Sequence, residues 1–347
     1  MTTKIFFNIP NETACGLYRG ALPLLHCYHE LTKHDIRLVG DKSPFVNEEF
    51  THYIFNRIIN EEFYNNAFKM LEKKLIWQTD DDIWNIPSWN PSCRLIKPNQ
   101  LDITNHFIQK ALMVIVSTDH LAKVINMPEK TVVLPNLIDS TYFNTKKKKE
   151  PGPIKIVWVG SASHDKDLED IIEPIIKILE KYKERVVVIF WGYLPTALAN
   201  FEREPGFPTA NLVPKYPNLY YGEWFNGRIF YEKLMQLHID IAIMPLTDCE
   251  FNKSKSNLKY SEMSMSGAAC IATNLLPYQC IKHNETGMLV ESGDKNAWFN
   301  CMEELIENET FRLKLANNAK LHVMEEYSWQ CPQREKWLEA FIKISQL

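Results

Sequence analysis

The chain has 347 residues, of which 45% are hydrophobic and 24% charged, with a formal net charge of −4. That balance excludes a disordered chain, a fibre and a membrane-embedded bundle, and the length suits two ordinary domains. Basic and acidic residues nearly balance over 1–150 and the remainder is mildly acidic, without the basic excess of a protein that grips long duplex DNA.

Short β-rich runs alternate with longer amphipathic stretches, the signature of βαβ units. Lys4–Ile9 opens as a strand, and Ala21–Leu31 carries apolar residues at helical spacing. Leu75–Gln78, Ala111–Ser117 and Thr131–Leu134 read as further strands, each short enough to lie buried in a parallel sheet. Lys146–Pro153 (KKKKEPGP) can neither pack nor continue a helix, so it reads as a linker. Ile154–Val159 restarts the alternation and ends at Gly160-Ser161. Strands are then predicted at Arg185–Phe190, Leu219–Tyr221, Ile239–Met244 and Ala268–Ala272. Helices are predicted at Leu168–Tyr182, Ala297–Ile306 and Phe311–Glu326. The expected fold class is α/β, with two Rossmann-like doubly wound domains facing a cleft, over residues 1–149 and 150–329. Ligands in such sheets bind beyond the carboxyl ends of the strands.

No run approaches the roughly 18 to 20 apolar residues that span a bilayer, and MTTKIFFNIPNET lacks the apolar core of a signal peptide. Eight scattered cysteines without a CxxC read as free thiols and, with the missing signal, predict a cytoplasmic protein. A position against the inner membrane surface, or in a host cytoplasm if the source is viral, stays open. No zinc spacing, GxSxG elbow or GxGxxG loop is present.

Four stretches in order resemble one family. They are Val132–Asp139 (VVLPNLID), Ile156–Leu168 (IVWVGSASHDKDL), Ser254–Thr273 (SKSNLKYSEMSMSGAACIAT), and Gly287–Val290 with Tyr327-Ser328-Trp329. Together they resemble the retaining GT-B glycosyltransferases of family 4, the glycosyl transferases group 1. The usual E-x7-E motif is broken, because Ser254 stands where the first Glu belongs. Phe251-Asn252, Lys255-Ser256, Lys259 and Glu262 instead fit the phage and bacterial variant F-N-x-x-K-S-x-x-K-x-x-E. The resemblance implies a nucleoside-diphosphate sugar donor, with UDP favoured, and a final segment 330–347 packed back on the first domain. It implies no cofactor and no required metal. The acceptor is a glycan, a protein or a hydroxymethylated DNA base, and the oligomeric state is open. Two rival readings remain: a degenerate GT-B scaffold, motivated by Ser254, and a GT-B sugar-nucleotide epimerase.

The residues support donor chemistry on their own terms. A loop entering a helix offers unpaired N–H groups and the positive end of the helix dipole, a ready diphosphate site. Ser256, Asn257 and Leu258 would supply those amides, while Lys255 and Lys259, four apart, share a helical face. Glu262 lies one turn on, placed to accept from a ribose diol; the bland alternative is ordinary surface Lys–Glu pairing. Gly160 and Ser161 let the backbone approach a phosphate, Lys166 adds charge, and His164 either joins the site or fixes the turn with Asp167. Asp80, Asp81 and Asp82 follow a strand and repel one another, so they are expected to face water, a cation or ligand hydroxyls. Gly16 and Arg19, in the first strand-to-helix loop, are candidates for donor and phosphate contact. Tyr193 and Trp224 follow strands of the second half whose loops, the family resemblance implies, hold the nucleobase; an aromatic ring there stacks on the base or simply fills the core.

Overall fold

The computed structural model describes residues 2–9, 14–41, 50–57, 59, 61, 65, 74–144, 151–202, 211–225 and 227–347. Two six-stranded parallel sheets organise it. The first comprises β1 (Thr3–Asn8), β2 (Ile36–Asp41), β3 (His52–Asn56), β4 (Lys74–Thr79), β5 (Met113–Val116) and β6 (Thr131–Val133). Its strand order is β2-β1-β3-β4-β5-β6. The second comprises β7 (Ile154–Val159), β8 (Val186–Trp191), β11 (Leu219–Gly222), β12 (Ile241–Met244), β13 (Ala269–Thr273) and β14 (Met288–Val290). Its order is β11-β8-β7-β12-β13-β14. An antiparallel pair, β9 (Ala199–Glu202) and β10 (Asn211–Pro214), sits outside both sheets.

Both orders are doubly wound, and each reverses direction once, beside β1 and beside β7. A ligand crevice forms at such reversals, because flanking helices depart to opposite faces there. The strands are apolar on both faces for the same reason: β12 (IAIM) and β13 (ACIAT) are buried at every residue. Helices α1 (Leu22–Thr32), α2 (Pro98–Lys110), α3 (Asp119–Ile125), α4 (Glu169–Tyr182) and α5 (Gly227–Leu237) cover the sheets. They are joined by α6 (Glu250–Lys253), α7 (Leu258–Met265), α8 (Lys295–Glu307), α9 (Glu309–Glu326) and α10 (Gln333–Gln346). At the end of α7, Gly267 takes φ +90°, a left-handed stop that lets the Ala268 N–H bond back to Met263 O.

The structure differs from the sequence expectation in several elements. β2 and β3 were not predicted. β3 is fully buried, yet begins with His52 and ends with Asn56, whose amide donates to Asn8 O at 2.7 Å. Its buried polar ends shorten the apolar run that would mark a strand. Helices α2, α3 and α5 also escaped prediction, although α2 starts with Pro98 at its first position. Of the expected linker Lys146–Pro153, residues 146–150 lie outside the described residues. The described helices include none long and apolar enough to cross a membrane.

After β14 the chain follows α8 and α9, then returns to the first sheet. Ile138 and Ser328 form a parallel bridge, and α10 packs on α1. Trp337 Nε1 donates to Pro135 O at 3.1 Å, and Phe341 meets Phe7 at 6.0 Å between ring centroids. Arg19 belongs to this seam, which corrects its assignment as a phosphate ligand. Its side chain is fully buried, donates to Leu134 O at 2.6 Å and Asn136 Oδ1 at 3.2 Å, and lies 4.8 Å over Trp337. A guanidinium committed to the carbonyls and rings of its own domain has no face left for a ligand. Arg19→Ala strands those acceptors in a dry interior, and a loss of about 3 kcal/mol is expected, read as a lower urea midpoint.

Candidate functional site

The carboxyl ends of the two sheets open onto one cleft of about 530 Å³, lined by residues from both halves. From the first sheet come Cys15 and Leu17, then Arg57 after β3, then Asp80 and Asp81 after β4. From the second come Gly160, Ser161 and His164 after β7, Gly192 after β8, and Trp224 after β11. The segment after α6 completes it with Lys255, Ser256, Leu258, Lys259 and Glu262.

Gly192 shows how tightly the loops after β7, β8 and β11 are drawn together. It adopts φ +95°, and a Cβ there would stand 2.5 Å from the Gly160 carbonyl and 2.7 Å from the Trp224 ring. Only glycine tolerates both the backbone and the approach. Trp224, 44% exposed, stacks on Phe230 at 5.5 Å and offers its outer surface to the cleft rim.

The electrostatics centre on two lysines. α7 begins at Leu258, with Asn257 at its cap and no side-chain cap bond, so the first-turn N–H groups are left without that partner at a point where Leu258 and Lys259 line the cleft. Lys255 lies in the turn before the helix, not on its face, which corrects the helical-pair argument. Lys255 and Lys259 nevertheless both line the cleft. Among the described residues, Lys259 Nζ is buried without a hydrogen-bond partner, 5.3 Å from the Trp158 ring centroid. Lys255 Nζ sits 4.5 Å over Phe251. Burial lowers both lysines; Lys259, with Lys255 adding to the effect, falls to about 8. His164 is held neutral, by burial first and by Lys259 second. Its Nδ1 lies 2.7 Å from Asp167 Oδ2, so the neutral ring donates from Nδ1 and leaves Nε2 as an acceptor. Asp167 Oδ1 also accepts from Thr247 N and Asn252 Nδ2, both at 2.8 Å, tying the β7 loop to the segment after β12.

Across the cleft, Arg57 bridges the acidic run. Its Nε approaches Asp80 Oδ1 at 3.2 Å and its Nη2 pairs with Asp81. Arg57 holds φ +59°, kept there by Arg57 N donating to Gln78 O at 2.9 Å and Trp77 Nε1 donating to Arg57 O at 2.7 Å. A non-glycine residue in this conformation is strained, and such strain clusters at functional sites. Burial raises the Asp80 carboxyl, but the charges of Arg57 and then Arg19 outweigh it and hold Asp80 below its ordinary value. Cys15 donates to Asp80 Oδ1 at 3.2 Å, and burial keeps it a thiol.

Glu262 receives two tyrosine hydroxyls on one oxygen. Tyr18 donates to Oε1 at 2.8 Å and Tyr231 at 3.1 Å. Burial is the larger effect and raises Glu262 to about 7 despite those two bonds.

Several expected site residues stand elsewhere. Asp82 is fully buried and accepts from Trp84 N and Asn85 N, both at 3.1 Å, and from Asn85 Nδ2 at 2.8 Å. It closes its own turn instead of facing a ligand. Ser254 is also fully buried, donating to Glu250 O at 3.3 Å while its carbonyl accepts from Thr118 at 3.1 Å. Lys166 pairs with Glu169 at 2.5 Å on the surface, and Tyr193 donates to Asp165 at 2.7 Å, so neither lines the cleft. Asn257 donates to Cys280 Sγ at 3.5 Å and contributes its position, not its side chain. Gly16 is buried between cleft-lining Cys15 and Leu17. Arg57, Tyr18 and Tyr231 were missed, because nothing local in the sequence connects them to partners up to 244 residues away. Among the described residues, no cluster of three His, Cys, Asp or Glu could hold a metal ion.

Residues 153–308 match the family described as Glycosyl transferases group 1. An uncharacterized glycosyltransferase of Methanocaldococcus jannaschii is 25% identical over 194 residues, covering 54% of this chain and 45% of that protein. The match thus spans about half the length of that relative. HepE of Anabaena, solved with UDP-glucose, superposes with a TM-score of 0.64 at 13% identity, covering 99% of this chain and 100% of that one. An alpha-glucosyltransferase solved with UDP-glucose and DNA containing an abasic site superposes with a TM-score of 0.62 at 12% identity, covering 99% of each chain. A glycosyltransferase of Rickettsia africae gives 0.64 at 14% identity, covering 99% of this chain and 98% of that one. At these identities the structural likeness is one of fold. This chain therefore has the GT-B fold, and its residues 153–308 are similar to the Glycosyl transferases group 1 family.

Proposed function

We propose that the protein is a retaining glycosyltransferase that moves a sugar from a UDP-sugar to an acceptor hydroxyl. The observation that carries this reading is the cleft-wall pair Lys255 and Lys259, beside the start of α7 and without a carboxylate partner among the described residues. Two desolvated cations at a helix N-terminus suit a diphosphate that gains charge as the sugar departs. Ser256 and Leu258 flank the same turn, and Gly160 and Ser161 close it from the β7 side. Trp224 offers a ring to the base, and Glu262 Oε2 remains for a ribose diol. HepE and the alpha-glucosyltransferase were each solved with UDP-glucose, which favours uridine as the base.

The reaction follows from the charges. The bond from the anomeric carbon to the β-phosphate oxygen breaks, and the sugar takes on oxocarbenium character. Lys255, Lys259 and the first-turn amides hold the departing diphosphate on that face. The acceptor oxygen attacks from the same side and forms the new bond, and its proton passes to the leaving phosphate oxygen. Asp80, held ionised beside Arg57, and Asp81, paired with the same side chain, stand on the opposite wall, where they would accept hydrogen bonds from acceptor or sugar hydroxyls. The acceptor class is a glycan hydroxyl or the hydroxyl of a hydroxymethylated DNA base, the latter presented as a flipped base. No metal enters this scheme, since the basic side chains and helix dipole carry the countercharge.

A thermal-shift panel of UDP, GDP, ADP, TDP and CMP with their sugars tests the donor assignment. UDP and a UDP-sugar are expected to raise Tm by a few degrees at about 100-fold their Kd, and silence across the panel would overturn the reading. Lys255→Ala is expected to reduce transfer by about 10²-fold or more, the scale of a lost oxyanion donor. Kinetics unchanged from the parent would remove Lys255 from the site. Asp80→Asn should lower kcat with little change in Tm, whereas Asp82→Ala should lower stability by about 2 kcal/mol, having lost its turn-closing bonds.

The two shifted groups also set a pH dependence. A UDP-sugar has no phosphate titrating near neutrality, so the protein's groups control binding. Diol recognition needs ionised Glu262, so affinity climbs as pH rises through about 7. Diphosphate recognition needs charged Lys259, so affinity falls as pH rises through about 8. Calorimetric titration of UDP-glucose should therefore show tightest binding between those values, with Glu262→Gln removing the acid limb. In the ligand-free chain the Glu262 contribution to stability falls between about pH 4.5 and about pH 7, where the folded state binds more protons than the unfolded one.

A further inference from the structure

Among the ties that cross from the first half of the chain to the second, three hydrogen bonds bear on the turn and helix at residues 254–262. Thr118 Oγ1 donates to the Ser254 carbonyl at 3.1 Å, and Asn136 Nδ2 donates to Ser256 Oγ at 3.0 Å. The third is Tyr18 OH donating to Glu262 Oε1 at 2.8 Å. Thr118 and Asn136 hold the diphosphate turn from outside, whereas Tyr18 reaches a group that the donor itself would engage. Tyr18 is 1% exposed and lies in the π-helical turn Leu17–Ala21, immediately before α1. Such turns displace a side chain from the regular helical row and recur at functional sites. The displaced phenol also touches the hydroxyl of Tyr231 on α5, which donates to the same carboxylate oxygen at 3.1 Å. Both tyrosines therefore hold Oε1, and Glu262 lines the cleft with no hydrogen bond to Oε2 among the described residues.

We propose that Tyr18 is a positioning residue of the donor site: by fixing Glu262 Oε1 from the opposite domain, it aims Oε2 at the donor ribose and makes ribose recognition depend on the two domains being together. The inference rests on the reading that Glu262 meets the ribose diol. Tyr231 cannot impose this dependence, since α5 and α7 belong to the same half of the chain. A carboxylate fixed on one oxygen keeps the other in a single orientation, so the diol meets a formed acceptor. With the domains apart, Glu262 loses the Tyr18 bond and must be ordered at the ligand's expense. UDP binding and domain closure then become one coupled event, and the coupling is reciprocal.

The test compares UDP with 2′,3′-dideoxy-UDP, which keeps both phosphates and the base but lacks the diol. The full chain is expected to prefer UDP. Tyr18→Phe, which keeps the ring and removes only the hydroxyl, is expected to shrink that preference about tenfold, the scale of a hydrogen bond to a charged group. The affinity for 2′,3′-dideoxy-UDP is expected to stay at the parent value. Equal weakening of both ligands would mean a merely structural Tyr18 and overturn the proposal, as would a preference left intact. A parent chain that binds both ligands equally would instead overturn the Glu262 reading beneath it. The unsubstituted protein supplies an independent measurement by hydrogen–deuterium exchange. UDP is expected to protect the Leu17–Ala21 turn more than 2′,3′-dideoxy-UDP does, and equal protection by the two would sink the proposal.

Discussion

Desolvated positive charge governs this molecule. Lys255 and Lys259 stand in the cleft wall without an ion pair among the described residues, and burial lowers both. Removing a cation from water is costly unless something replaces the lost hydration. The surrounding structure does so only partly, with the faces of Phe251 and Trp158. What would complete the balance is an anion in the cleft, and the uncapped start of α7 lies in the same wall. The shape of the second domain follows from this need. β7 runs out into Gly160 and β8 into Gly192, and α7 begins beside both loops.

The first domain answers with the opposite sign. Asp80 and Asp81 hang from the end of β4 beside Arg57, whose left-handed backbone is pinned by Gln78 and Trp77. This ionised, hydrogen-bonding wall faces the basic one, so the cleft is polarised across its width. The two walls are held in register by side chains that contribute no charge to the chemistry. Ser254, which stands in place of an expected glutamate, is one of them. Its burial against Thr118 makes it part of the joint between domains, and the acid chemistry of that position is simply not present. Arg19 likewise serves the frame, locking Leu134, Asn136 and Trp337 beneath the cleft.

Charged residues were the least predictable from their surroundings in sequence. Asp80, Asp81 and Asp82 are adjacent and chemically identical, yet two face the cleft and the third closes a turn on Trp84 and Asn85. Lys166 and Lys259 each lie near a glutamate three positions on, yet one is a surface ion pair and the other is buried without a hydrogen-bond partner. Local spacing lists the neighbours a side chain can reach within its own element. Whether it takes them depends on how much water remains around it, which is set by elements far away in the chain.

The amino-acid sequence by itself determined the period. Apolar runs such as IKIVWV and IDIAIM, each followed by helical spacing, specify parallel strands buried on both faces, and hence two doubly wound sheets. The passage from loop to helix after Lys255 was equally legible, since a loop entering a helix is a local object. The strands β2 and β3 were not, because edge exposure in one and polar ends in the other erased the pattern. Only the tertiary structure decided the pairings across the cleft: Arg57 with Asp80, Tyr18 with Glu262, Thr118 with Ser254. These join residues 23 to 244 positions apart, and no periodicity carries that information. They arise because two sheets that turn their carboxyl ends toward one another bring loops together whose order in the chain is unrelated to their distance in space.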